Sequence, residues 1–99
     1  MTPTTLPSGQ AVFDPRGAVD AQTHPLAPRP AALDGLRLAV LDNSKWNAGT
    51  LLRATVATLD ADFAEVTTHV KESFSRSADE AMLDRIASGA DVVVTAVGD

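Results

Sequence analysis

The chain has 99 residues, a formal net charge of −5 at pH 7 and no cysteine. This length suffices for one small domain and excludes a multidomain enzyme. The acidic balance gives no field that would attract nucleic acid or anionic lipid. Without cysteine these residues form no disulfide framework, thiolate zinc site or cysteine nucleophile. The two histidines are isolated in sequence. We therefore expect no metal site and no bound cofactor.

The sequence shows no targeting segment. It has no apolar run of about 18 or more residues, and its N-terminus lacks the basic start and apolar core of a signal peptide. We expect a cytoplasmic protein without membrane association. Frequent alanine and an excess of arginine over lysine are typical of a GC-rich bacterial genome.

Residues 1–33 hold all six prolines and form a predicted Pro-rich tail. Proline lacks a backbone donor, so this stretch cannot form a helix or a central strand. We expect the tail to be extended or disordered, with Val12 and Phe13 as its anchor. Residues 34–99 carry all of the periodic pattern and make up the predicted domain.

A strand and a helix are predicted first in this domain. Residues 36–43 form a short apolar run with one charge near its start, which is typical of a buried strand. A helix follows from about Asn47, with Asn47 or Ser44 as its N-cap. Its apolar stripe recurs at steps of four, three and four: Leu52, Val56, Leu59 and Phe63.

A second strand and helix come next. Residues 65–71 alternate apolar and polar side chains, which predicts a half-buried strand with one wetter face, at a sheet edge. Ser77 and Glu80 have the spacing of a capping box at the start of the helix, and Gly89 ends it. Its apolar stripe consists of Met82, Leu83, Ile86 and Ala87.

The last predicted strand, residues 91–99, is apolar on both faces, as in a parallel strand between two helical layers. This alternating order of three strands and two helices predicts a three-layer α/β fold of flavodoxin-like or Rossmann-like type with a parallel sheet. Right-handed crossovers allow strand order 2-1-3 or 1-2-3. We favour 2-1-3 because the wetter second strand belongs at an edge. A crevice then opens at the carboxyl ends of strands one and three.

The third strand would be an open edge of a three-stranded sheet. Uncovered strands rich in valine pair readily with other chains. We therefore expect the fold to be incomplete, with this sequence as the N-terminal part of a longer coding unit. The alternative is a naturally short protein whose third strand is covered by a partner.

Two turn motifs resemble those of a known family. Residues 41–47 read Leu-Asp-Asn-Ser-Lys-Trp-Asn, Leu51 and Leu52 follow, and the last strand ends in Gly98 and Asp99. Together they resemble the start of the UGSC family of selenoproteins and their cysteine homologues, over about residues 12–99. Family members commonly read LDN-x-K-x-N in this turn. Beyond the strand that ends in Gly-Asp they carry selenocysteine or cysteine, then Gly-Ser-Cys.

The sequence departs from that family pattern in two places. Trp46 stands where proline is expected, and the redox pair is missing. A selenocysteine codon is UGA, so a reading that treats it as a stop would end the product at Asp99. The nucleotide sequence after codon 99 tests this explanation. UGA followed in frame by Gly-Ser-Cys codons would support it, and a different stop codon without such codons would rule it out.

The resemblance implies a thiol or selenol redox reaction, or a reductase-type reaction, on a small molecule. We expect the 99 residues alone, without the redox pair, to be inactive. The candidate catalytic residues are Asp42, Lys45 and Asp99, and the candidate substrate-binding residues are Asn43, Asn47 and Gly98.

Each candidate has a proposed role at the crevice. Lys45 would lower the pKa of a thiol or hold a carboxylate, and Asp42 would act as a base or orient Lys45. Asn43 and Asn47 would donate hydrogen bonds, and Gly98 would let a ligand approach the backbone. The purely structural alternatives stay open, since Asp and Asn also make turns and helix caps.

Two other classes of function stay open. A receiver-like domain would bind Mg²⁺ after strand one, but Asp42 is followed by Asn43 instead of a second carboxylate. A non-catalytic module would bind a protein partner, or a second copy, by strand addition to its third strand.

Overall fold

The structure is a computed structural model that describes residues 3–17 and 20–98. Its elements are β1 (Thr4–Thr5), β2 (Ala11–Val12), β3 (Arg37–Asp42), α1 (Ala48–Thr58), β4 (Glu65–Val70), α2 (Glu80–Gly89) and β5 (Val92–Ala96). The strands and helices predicted for residues 34–99 are confirmed in type and in order. The molecule is therefore a mixed α/β protein with a three-stranded parallel sheet and two helices.

Most of the N-terminal segment is exposed, but residues 26–30 line a cavity together with residues of α2 and β5. Strands β1 and β2 form a small antiparallel hairpin, which the sequence did not predict. Phe13 is 61% exposed, so it does not anchor the segment as expected. The radius of gyration is 20.2 Å, whereas a compact domain of about 100 residues has about 13 Å. Among the described residues before β3 nearly all are exposed, which agrees with this extended shape.

The sheet has the order β4-β3-β5, with both pairs parallel. The three strands thus lie in the predicted order 2-1-3, and β4 is at an edge as expected. A sheet of three strands does not establish a flavodoxin-like fold, so that finer assignment stays a prediction. Within the described chain β5 also pairs on one side only, and Val93 is 50% exposed. The expectation that both faces of this strand are buried is therefore wrong.

The core lies between β3 and α1. Leu38 and Val40, two residues apart, share one face of β3, and Leu52 of α1 packs on them. Partly buried apolar side chains surround this cluster: Val56, Phe63, Val92, Val94 and Ala96. Ala39 is fully buried on the opposite face of β3, and Ile86 is the buried residue of α2. The central strand is therefore covered on both faces.

Both helices differ from the sequence prediction at one end. Helix α1 ends at Thr58, because Leu59 is extended, so Phe63 reaches the core from the loop before β4. The N-cap of α2 is Asp79, whose Oδ1 accepts a hydrogen bond from Met82 N at 2.7 Å. The predicted capping box at Ser77 is therefore wrong. Aspartate caps helices as well as serine does, and the helix begins later.

Candidate functional site

A strained turn leads from the carboxyl end of β3 into α1. Ser44 and Asn47 have φ values of 61° and 65°, in the left-handed region that side chains other than glycine rarely adopt. Asn47 is the N-cap residue of α1, one of the two predicted alternatives, but its side chain makes no capping hydrogen bond. The Ser44 hydroxyl is buried without a partner in residues 3–17 and 20–98. Strain of this kind concentrates at functional sites.

Asn43 joins the carboxyl ends of all three strands. Its backbone N donates to Ala96 O at 2.9 Å, and its Nδ2 donates to Val97 O at 2.8 Å. Its Oδ1 accepts a hydrogen bond from Lys71 Nζ, just beyond β4. The backbone N of Lys71 donates to Asp42 O at 3.0 Å. Both polar atoms of the half-buried Asn43 side chain thus bind the residue that directly follows a neighbouring strand.

The cation beside Asn43 is Lys71, which the sequence analysis did not identify. Its position directly after the second strand was the available signal, because parallel strands end at the same edge of a sheet. Lys45, the predicted cation, lies with Nζ 5.7 Å from the centre of the Phe74 ring. It therefore contacts the loop between β4 and α2.

Asp42 lies on the opposite face of β3 from Asn43, as alternation along a strand requires. Its Oδ1 accepts a hydrogen bond from Ser44 N at 2.8 Å. Gly49 of α1 approaches this carboxylate closely. A Cβ atom added at Gly49 would lie 2.8 Å from Asp42 Oδ2 and 3.2 Å from Arg53 Nη1. A side chain at position 49 would force this carboxylate to shift, and nothing in the sequence of a single element signals this close approach.

The structure divides the predicted site residues between two cavities. Asn43 and Gly98 line one of about 230 Å³ at the ends of β3 and β5. Asp42 lines another of about 320 Å³ between α1 and β4. Asn47 is exposed and borders neither cavity. Asp99 lies outside the described residues.

An ion pair holds β3 and β5 together at the other end of the sheet. Arg37 Nη2 lies 3.1 Å from Asp91 Oδ1, and Arg37 N donates to Asp91 Oδ2 at 2.9 Å. The hydrogen bond from the guanidinium lowers the pKa of Asp91 from its ordinary value and raises the pKa of Arg37. The pair of strands that frames the crevice is therefore fixed at both ends.

In the part of the chain that the structure describes, no three histidine, aspartate or glutamate side chains converge as metal ligands would. Neither helix in that part is long and apolar enough to cross a membrane.

Fold and site together define a small parallel α/β domain with polar groups at the carboxyl ends of its strands. A scan against protein-family models matches the UGSC family over residues 11–99. The chain belongs to the UGSC family, which confirms the resemblance carried by its two turn motifs. Neither a search of curated proteins nor a search of solved structures finds a match.

Proposed function

We propose that the cavity at the ends of β3 and β5 is the small-molecule site of a thiol- or selenol-dependent redox protein. The observation that carries the proposal is the hydrogen-bond network of Asn43, which fixes the Leu-Asp-Asn turn beside Gly98. Parallel α/β sheets bind ligands outside the carboxyl ends of their strands. The network lies at that edge.

The chemistry follows from the family resemblance. A thiolate or selenolate at the end of β5 would attack a disulfide substrate, releasing one thiol and forming a mixed bond. The second cysteine of the motif, separated from the first group by two residues, would attack that bond, release the second thiol and close an internal bridge. The two thiol groups supply both electrons. The chain has no cysteine, so its own residues would provide the site and not the redox pair.

Charged and polar groups around the cavity would assist this reaction. A cation lowers the pKa of a nearby thiol, a role for Lys45 as predicted and also for Lys71. Asn43 would position Lys71, to which it is hydrogen-bonded. Asp42, which lines the other cavity, and Asp99 stay candidates for acid–base or orienting roles. Gly98 lines the cavity and would contact a substrate there, whereas Asn47 borders neither cavity, so its predicted substrate contact is not part of this proposal.

A gain-of-function experiment tests this proposal. Cys-Gly-Ser-Cys is appended after Asp99, and the matched control carries Ser-Gly-Ser-Ser. We expect the reduced extended protein to cleave a small aromatic disulfide at least about tenfold faster than a free Cys-Gly-Ser-Cys peptide, in one turnover. The control and the unextended chain should show no reaction. A rate equal to that of the free peptide would contradict the proposal.

A second candidate function rests on the exposed edge of β5. This strand pairs only with β3 among the described residues, and the half-exposed Val93 adds an apolar contact. A partner protein or a second copy would add a strand there. Sedimentation of the chain and of Val93→Lys tests this. A wild-type chain that is monomeric and unfolds cooperatively alone would count against docking.

A further inference from the structure

We propose that the groove between α1 and β4 binds a free amino acid with an apolar side chain. This groove is the cavity of about 320 Å³ to which Asp42 contributes. The proposal does not depend on redox chemistry at the strand ends.

Two opposite charges stand at one end of the groove. Asp42 Oδ2 and Arg53 Nη1 lie on the same side of Gly49, near the point that a Cβ would occupy. Nevertheless they form no ion pair with each other, and no hydrogen bond from the described residues ends on Asp42 Oδ2. Arg53 donates from Nη2 to Thr50 Oγ1 at 3.3 Å, which leaves Nη1 directed to the groove side of Gly49. The groove therefore ends in one anionic acceptor and one cationic donor.

The remainder of the groove is mainly apolar. Helix α1 packs on β3 and β5 and leaves the adjoining face of β4 open, so Val66 is 49% exposed. The apolar walls come from Val40, Leu52, Val56, Ala57 and Val66. Thr68 adds a hydroxyl near the polar end. The volume lies at the lower end of the range of roughly 300–1,000 Å³ that is usual for small-molecule pockets.

Charge complementarity selects the occupant. An α-amino acid carries an ammonium and a carboxylate on one carbon, so it pairs with Asp42 and Arg53 at once. Its side chain then lies along the apolar walls. A simple amine or a simple carboxylic acid would satisfy one of the two charges and leave the other unpaired. A leucine-sized amino acid fits the available volume.

Titration of the full chain with L-leucine, followed by NMR, tests the proposal. We expect saturable binding in the millimolar range, because Arg53 is exposed and water screens the ion pair that it would form with the carboxylate of leucine. Isopentylamine and 4-methylpentanoate each lack one charged group and should bind at least about tenfold more weakly. Equal binding of leucine and either analogue, or no saturable binding of leucine, would overturn the proposal.

Matched variants locate the site. Arg53→Met should weaken leucine binding about tenfold, whereas Arg85→Met on the exposed face of α2 should not change it. Gly49→Ala places a methyl group 2.8 Å from Asp42 Oδ2 and should reduce binding similarly. Gly89→Ala is its control, because a Cβ there meets no atom within 4 Å. Unchanged binding in Arg53→Met, which keeps the core intact, would refute the assignment.

Discussion

The hydrogen bonds of Asn43 give the most direct test of the structure. Asn43→Ala removes two side-chain bonds, one to Val97 O and one from the charged Lys71. A neutral bond contributes about 0.5–1.5 kcal/mol, and a bond to a charged group about 1.5–3 kcal/mol. Both groups are half-buried, so the lower ends of these ranges apply, and we expect a loss of about 2 kcal/mol. That is a large part of the roughly 5–15 kcal/mol that stabilises a small protein.

A double-mutant cycle isolates the contribution of Lys71. Lys71→Met should cost about 1.5 kcal/mol, and Asn43→Ala combined with Lys71→Met should cost little more than Asn43→Ala alone. Urea denaturation monitored by far-ultraviolet circular dichroism measures each free energy of unfolding. Arg85→Met serves as a surface control, with an expected change within about 0.5 kcal/mol. Strictly additive effects of the two substitutions would show that these side chains do not interact.

Three further substitutions, one of them with a matched control variant, test the fold. Leu52→Ala removes a side chain that is 2% exposed and should cost about 2–5 kcal/mol in urea denaturation. Asp79→Ala removes the N-cap of α2 and should cost about 1 kcal/mol, whereas Ser77→Ala should cost nothing measurable by the same assay. Asp91→Asn should destabilise the protein at neutral pH, and this difference from wild type should shrink as pH falls below 3.8. The hydrogen bond from Arg37 lowers the pKa of Asp91 in the folded protein. The ion pair therefore stabilises the fold fully above the ordinary pKa of aspartate, and the stabilisation is lost as acid protonates the carboxylate. Urea midpoints across that pH range measure it, and a constant difference would contradict the ion pair.

The arrangement of the sheet was predictable because side-chain periodicity reports burial within one element. The polar face of residues 65–71 placed β4 at an edge, and from that the order of the three strands followed. The ends of the helices were less predictable, because several residues near each end can act as a cap or a stop. Asp79 and Ser77 compete in this way, and only the backbone geometry decides between them.

The contacts of the site depend on register, which periodicity does not report. Asp42 pairs with Val70, so the next residues along, Asn43 and Lys71, are brought side by side. A shift of one residue in that pairing would place Lys71 on the other face of the sheet. The approach of Asp42 to Gly49 likewise depends on how α1 packs on β3. Neither contact has a signature in the sequence of a single element.

The turn after β3 explains why two adjacent residues serve different cavities. Side chains alternate along a strand, so Asp42 and Asn43 lie on opposite faces of the same strand end. The chain must then enter α1 at once, and it does so through left-handed conformations at Ser44 and Asn47. Such conformations cost on the order of 1 kcal/mol each and persist only where the surroundings enforce them. The bonds from Ser44 N to Asp42 and from Asn43 to Val97 provide that constraint. The strain of this turn is thus offset by the same side chains that present polar groups to both cavities.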